Sequence, residues 1–314
     1  FSEEKSVIIA EAGVNHNGSF KIAEKLIKSA KNSGADIIKF QTYKANKLVV
    51  KNSPRFWSWS GEKKKTGTQH DSYSKLDVFN EKDYKNLFNL CKKYRIEFMS
   101  TPFDNDSVNM LDRIGVKGFK VASCDINNYP LLDKIAKTKK PILLSTGASI
   151  LNEVRRTVKY LENRGVKKLC IMQCTLSYPT KIKDANLNVL VEFKKNFKKY
   201  LIGLSDHTLG INVPIASISL GCRVIEKHFT INKKLKKSAD HWLSINPKEL
   251  KELKKGTDEL MEAIGNGKKR VLKCELKTRK YARRSLVALV EINKGEKLTY
   301  KKLTPKRPGG GIPP

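Results

Sequence analysis

The chain has 314 residues, is 39% hydrophobic and carries a formal net charge of +32 at pH 7. That is room for one large domain plus a small one, and no apolar run approaches the ~20 residues of a membrane span. Lys is spread over helix faces and loops (KIAEKLIKSAK, EFKKNFKKY, ELKELKKG) with no Arg-rich arm or RNA-binding motif. The charge is therefore read as solvated surface that also gathers anionic small molecules, and no nucleic-acid partner is expected.

The chain begins at Phe1, not Met, so residues are expected to precede it, and no signal peptide is visible. The six Cys (Cys91, Cys124, Cys170, Cys174, Cys222, Cys274) form no CxxC pair, and several lie in apolar runs. They read as reduced, mostly buried thiols of a cytoplasmic protein.

From the N-terminus, short apolar runs alternate with helix-period stretches. VIIAEAG leads to FKIAEKLIKSAKNSG, and DIIKFQT leads through a long connection to EKDYKNLFNLCKKY. IEFMSTPF precedes NDSVNMLDRIG, GFKVASCD precedes YPLLDKIAKT, and PILLSTG precedes SILNEVRRTVKYLENRG. KLCIMQCT, LIGLSDH and CRVIEKHFT follow, and NPKELKELKKGTDELMEAIG closes the series. Gly34, Gly115 and Gly165 end helical stretches, as suits a helix C-terminus. Eight strands alternating with helices predict a (β/α)8 barrel over residues 1–265. An open doubly wound sheet is the alternative, but it lacks a GxGxxG fingerprint here.

The connection from Thr42 to about Asn80 is long for a βα loop. It is expected to be an insertion on the functional face or a mobile segment, with His70 in it exposed. Residues 266–282 read as a charged linker. Residues 283–314 read as the start of a small β-rich module that the chain does not complete.

Barrel enzymes place polar groups at the C-terminal ends of their strands. Here all eight ends are polar: Glu11 with Asn15 and His16; Lys39, Gln41 and Thr42; Ser100 and Thr101; Lys120 and Ser123; Ser145 and Thr146; Gln173, Thr175, Ser177 and Tyr178; Ser205, Asp206 and His207; Glu226, Lys227 and His228. Alternation along a strand puts Lys39 and Gln41 on one face, and Glu226 and His228 on one face. Lys39, Lys120 and the hydroxyls are expected to converge on a phosphate or carboxylate. His207 and His228 fit a two-histidine divalent-metal site open to substrate, with Mn, Fe, Co or Zn the metals such ligands suit. Two hydrogen-bonded core imidazoles remain the alternative. Glu11 and Asp240 are the carboxylates available for proton transfer.

Read together, AEAGVNHNG, KFQTY, STPFD, KVASCDI, LLSTG, QCTLSYPT, GLSDHT, EKHFT and SADH resemble, in that order, the motifs of the sialic acid synthase family, the N-acetylneuraminate, legionaminate and pseudaminate synthases. The tail from YARRSLVALVEINKGEKLT to KRPGGGI looks like the start of that family's antifreeze-like (SAF) domain. The resemblance implies a (β/α)8 barrel that condenses phosphoenolpyruvate with an N-acyl hexosamine to a nine-carbon 2-keto acid and phosphate. It implies a divalent metal on His207 and His228, Mn foremost, with Mg, Co or Zn as alternatives. It implies Lys39, Thr101, Lys120, Ser123, Ser145 and Ser205 on phosphoenolpyruvate, and Gln41, Tyr178 and Asp240 on the sugar. Glu11 and Asp240 become the acid/base pair. It also implies a domain-swapped homodimer in which Arg307 reaches the acyl group of the other subunit's sugar. Cys124, Leu176 and the SADHWLS loop with Trp242 depart from the family pattern and bear on which sugar is accepted. His241 is expected only to orient its neighbour.

Overall fold

In the computed structural model, residues 5–57 and 67–314 are described. The expectations for the chain start at Phe1 and for the middle of the long insertion, residues 58–66, lie outside them. The chain divides at Ile264/Gly265 into two compact units.

The first unit is the barrel. Its strands are β1 (Val7–Gly13), β2 (Ile37–Thr42), β3 (Glu97–Pro102), β4 (Phe119–Val121), β5 (Ile142–Ser145), β6 (Leu169–Cys174), β7 (Leu201–Asp206) and β8 (Val224–His228). All are parallel, in the order β3-β2-β1-β8-β7-β6-β5-β4. The ring closes where β3 and β4 run side by side without a ladder. This is the expected (β/α)8 architecture and excludes the open doubly wound sheet, whose edge strands would be far apart.

The helices form for local reasons. α1 (Phe20–Asn32) starts at Ser19, whose hydroxyl accepts the Ile22 N–H. The insertion after β2 carries two short helices, α2 (Ala45–Leu48) and α3 (Gln69–Ser74). Its described part is anchored to the end of β2: the Tyr43 hydroxyl donates to the Tyr73 carbonyl at 3.2 Å, and Lys44 pairs with Asp77 at 2.7 Å. His70 in α3 is half-buried, not exposed as expected, because α3 folds back onto this anchor.

α4 (Glu81–Tyr94) opens with a reciprocal cap between Asn80 and Asp83. α5 (Asn105–Ile114) is capped by Asp104 and ends at Gly115, where φ is +95°. α6 (Tyr129–Lys137), α7 (Leu151–Asn163), α8 (Val189–Asn196), α9 (Asn212–Ser217) and α10 (Pro247–Ile264) complete the outer layer. Their apolar faces meet the outward side chains of the strands, such as Ile8, Ile38, Phe98, Leu144 and Ile225, in one continuous core.

Inside the barrel a second, smaller apolar cluster holds Ile9, Ile37, Met99, Leu143, Cys170, Met172 and Val224. Ile9, Ile37, Met99, Leu143 and Val224 each sit two residues before a polar inward side chain on the same strand. The interior is thus an apolar floor under a polar layer. Gly203 belongs to this floor, and a Cβ there would come within 2.8 Å of the Val224 carbonyl.

The second unit, residues 265–314, contains α11 (Leu276–Ala282) and an antiparallel pair, β9 (Ser285–Ala288) with β10 (Leu303–Lys306). The stretch expected to be a linker therefore ends in a helix.

Candidate active site

Period two places the inward residues of the last strand turns in one layer. At its centre is Lys39 on β2, which is 2% exposed. Its ammonium lies 2.7 Å from Glu11 Oε2 and 3.7 Å from Glu226 Oε1, and donates to Thr101 Oγ1 at 2.8 Å. Gln41, two residues along β2, donates to Glu11 Oε1 at 3.2 Å. Across the layer, Lys120 donates to the Ser145 hydroxyl and to the Val121 carbonyl. The Ser205 hydroxyl donates to Glu226 Oε1 at 3.1 Å. Ser123 stands just past β4, its hydroxyl accepting the Gly147 N–H at 2.9 Å.

Burial and charge set the protonation of this layer. Removal from water pushes the Glu11 carboxyl up to about 7, with Lys39 opposing and Glu226 adding to the rise. Burial works to raise Glu226 too, but Lys120 and Lys39 outweigh it and hold it below the usual range. Burial lowers Lys120. The layer therefore pairs an ionised Glu226 with two lysines and leaves Glu11 poised near neutrality.

One step nearer solvent is a group of rings. His207 and His228 have centroids 5.4 Å apart, and Tyr178 lies 4.1 Å from His207 and 5.9 Å from His228. Both imidazoles are buried. His207 Nδ1 is 3.0 Å from the Thr175 carbonyl, to which it donates. Burial works to lower this ring's pKa, but Cys174 beside it outweighs burial and raises it. His228 Nδ1 is buried without a hydrogen-bond partner, 3.7 Å from Asp240 Oδ2. Burial, followed by His207, holds His228 well below its ordinary pKa, so it is neutral. Burial raises Asp240 to about 6.

His228, neutral and with Nδ1 unsatisfied, and His207 beside it are side chains of the type that hold a divalent ion. Among the described residues there is no group of three or more His, Cys, Asp or Glu arranged to hold one. The residues thus fit a site with two protein ligands and open positions, not a closed structural site.

Several strand-end residues point elsewhere. Gln173 faces outward and donates to the Ala185 carbonyl, so Cys174 takes the inward place on β6. Lys227 and Asp206 form a buried ion pair on the outer face, joined by the Thr208 carbonyl. Thr42 and Ser100 hydroxyls bond each other at 2.6 Å on that same side. Arg307 is an exposed residue of the second unit.

His241 and His16 are neutral supports, both lowered to about 4 by burial. His241 bridges Thr230 Oγ1 at 2.8 Å and Asn17 Oδ1 at 2.9 Å. His16 stacks on Phe79 at 4.3 Å and accepts the Gly18 N–H. Asn15 donates to the Phe229 carbonyl and Ser244 hydroxyl, tying the loop after β1 to the one carrying Asp240.

Two members of the site were not among the candidates. Glu226 was seen only as the face-mate of His228, yet it lies 3.7 Å from the Lys39 ammonium and is held ionised by Lys120 and Lys39. Cys174 lies with its sulfur 3.9 Å from His207 Nδ1. Strict alternation from Cys170 through Met172 would have pointed to it.

Comparison with known proteins gives consistent matches. The profile describing the NeuB family matches residues 26–269. The N,N'-diacetyllegionaminic acid synthase of Campylobacter jejuni is 40% identical over 98% of this chain and 92% of its own. The N-acetylneuraminate-9-phosphate synthase of Mus musculus is 34% identical over 95% of this chain and 82% of its own. Among solved structures, the N-acetylneuraminic acid synthetase of Leptospira borgpetersenii superposes with a TM-score of 0.78 at 33% identity, covering 89% of this chain and 92% of that one.

Proposed function

The chain belongs to the NeuB family, and from that premise we propose that it condenses phosphoenolpyruvate with an N-acyl hexosamine such as N-acetylmannosamine or a diacetamido relative. The products are a nine-carbon 2-keto sugar acid and phosphate. The observation that carries this reading is the inner layer: two buried lysines with converging hydroxyls, set one strand step below a histidine pair. Lysines and hydroxyls in a water-poor barrel are suited to a phosphate and a carboxylate held together.

In this reading Lys39, Thr101, Lys120, Ser123, Ser145 and Ser205 bind phosphoenolpyruvate. Gln41, Tyr178 and Asp240 line the sugar, next to the two histidines. His207 and His228 hold a divalent metal, Mn foremost, which when bound supplies Lewis-acid polarisation of the open-chain aldehyde. C3 of phosphoenolpyruvate forms a bond to that aldehyde carbon, and the new alkoxide takes a proton. Water adds at C2 and gives up a proton, and the C2–O bond to phosphate then breaks. The proton given and the proton taken are the work of Glu11 and Asp240, whose carboxyls sit at about 7 and about 6 and so exchange protons near neutrality. Lys39 and Lys120 fix the leaving phosphate without reacting. The proposal extends to a cytoplasmic homodimer in which the exposed Arg307 serves the sugar of the other subunit.

The test is phosphate release from phosphoenolpyruvate against a panel of N-acyl hexosamines, with Mn and with chelator. Release is expected with at least one acceptor and only with metal. No release with any acceptor sinks the reaction, and release undiminished in chelator sinks the metal. His228→Ala is expected to lower Mn affinity and turnover at least a hundredfold while leaving the circular dichroism unchanged.

A further inference from the structure

The β7–β8 ladder ends at the rung between Asp206 and Lys227. His228 is the last residue of β8, and His207 stands one residue past β7. Period two turns Asp206 and Lys227 to the outer face, where both are buried, Lys227 to 1% exposure. There they do more than pair. Asp206 Oδ1 accepts the Thr208 N–H at 3.1 Å, and Asp206 Oδ2 accepts the Thr208 hydroxyl at 2.9 Å. The Lys227 ammonium donates to the Thr208 carbonyl as well as to Asp206 Oδ2. Thr208 is itself fully buried. His207 is thus flanked along the chain, on both sides, by residues that Lys227 grips, and Lys227 is the chain neighbour of His228.

The His207 carbonyl accepts the Thr180 N–H at 3.0 Å, and Nδ1 donates to the Thr175 carbonyl. Both bonds run to the segment after β6, away from β8. They fix His207 on its β6 side and do not refer to His228. A rung of parallel ladder needs no charged side chains, and a buried ion pair is weak evidence for stability. A lysine that reaches from β8 to a carbonyl beyond the end of β7 does something a rung cannot: it fixes a distance past the end of the ladder.

We propose that Lys227, with Asp206 and Thr208, is an outer clamp that sets the separation and tilt of the His207 and His228 rings, 5.4 Å and 52°. The three touch neither substrate nor ion and are positioning residues. Their effect on a bound ion rests on the metal reading above, whereas their effect on the rings does not.

The test replaces the clamp by apolar side chains, Asp206→Leu with Lys227→Met, which strands no charge. Titration of the full chain with Mn, followed by electron paramagnetic resonance, is expected to show binding about ten- to a hundredfold weaker, the cost of losing a support behind a metal ligand. Crystal structures of wild type and double variant, both in chelator, are expected to differ in ring placement by more than about 0.5 Å or about 10°. Asp206→Asn keeps the side chain's shape, the Thr208 N–H bond and the Lys227 bond to the Thr208 carbonyl, and is expected to bind Mn more nearly as the wild type does. Rings that keep their geometry in the double variant overturn the inference, and so does Mn affinity equal to that of a Mn-binding wild type. A loss in Asp206→Asn as large as the double variant's assigns the effect to charge and overturns the clamp too. A wild type that binds no Mn, with rings that move in the double variant, removes the metal and leaves the clamp standing.

Discussion

Two carboxyls of this site hold protons where free ones would not, and the consequence is measurable at single residues. Asp240 is raised by burial from an ordinary 3.8 to about 6. Between those values the folded state keeps a proton that the unfolded chain has released. Stability from this group is therefore present at low pH and is lost as pH rises towards 6. In chelator, Asp240→Asn is expected to gain on the wild type as pH climbs from about 4 to about 6, and to hold a constant advantage above that. Melting temperatures across the range check it, and a pH-independent difference refutes it. Alternation made part of this layer legible in advance: Lys39 with Gln41, and Glu226 with His228, do share faces. The same rule applied without a firm strand boundary left Cys174 unnoticed, because the polar Gln173 and Thr175 on either side attracted attention. The links among Glu11, Lys39 and Glu226 cross between β1, β2 and β8, and no local pattern in the chain encodes which acid meets which base.

At the level of elements, β7 and β8 show how much of the site is held from behind. Asp206 and Lys227 are register partners, each immediately before a histidine, and they pair on the outer face of the sheet. Lys227→Met strands a buried carboxylate and is expected to cost about 3–5 kcal/mol in denaturant unfolding. The double variant Asp206→Leu with Lys227→Met should recover most of the loss, and failure to recover would mean the pair does more than neutralise itself. On the inner face of the same strand, Gly203→Ala is expected to cost about 1–3 kcal/mol, because the opposing Val224 carbonyl is backbone and cannot swing away. Helix ends were readable where chemistry is local: Gly115, expected at a helix C-terminus, has φ +95°, a conformation that favours glycine. The outward turn of Lys227 was not readable, since a lysine at a strand end fits either face until its partner is known.

For the whole molecule, eight alternations of strand and helix were enough to predict the barrel, because parallel strands buried on both faces leave few other closures. The small second unit was less legible: its helix α11 lies in a stretch so rich in Lys and Arg that charge masked its periodicity. A chain ending at Ile264 keeps both apolar clusters of the barrel and is expected to melt cooperatively, its helical signal reduced only by the loss of α11. Loss of cooperative melting would show that the last fifty residues complete the core. The two-storey interior has one more consequence, for proton traffic. Ile9, Leu143, Met172 and Val224 are fully buried and offer no donor or acceptor below Glu11. Among the described residues that apolar floor gives a proton no relay from below, which leaves the upper opening, past Tyr178 and the imidazoles, as its route. In the proposed reaction, a sugar filling that opening would seal Glu11 with whatever proton it carries, so the order in which reactants enter would fix the charge state in which a turnover begins.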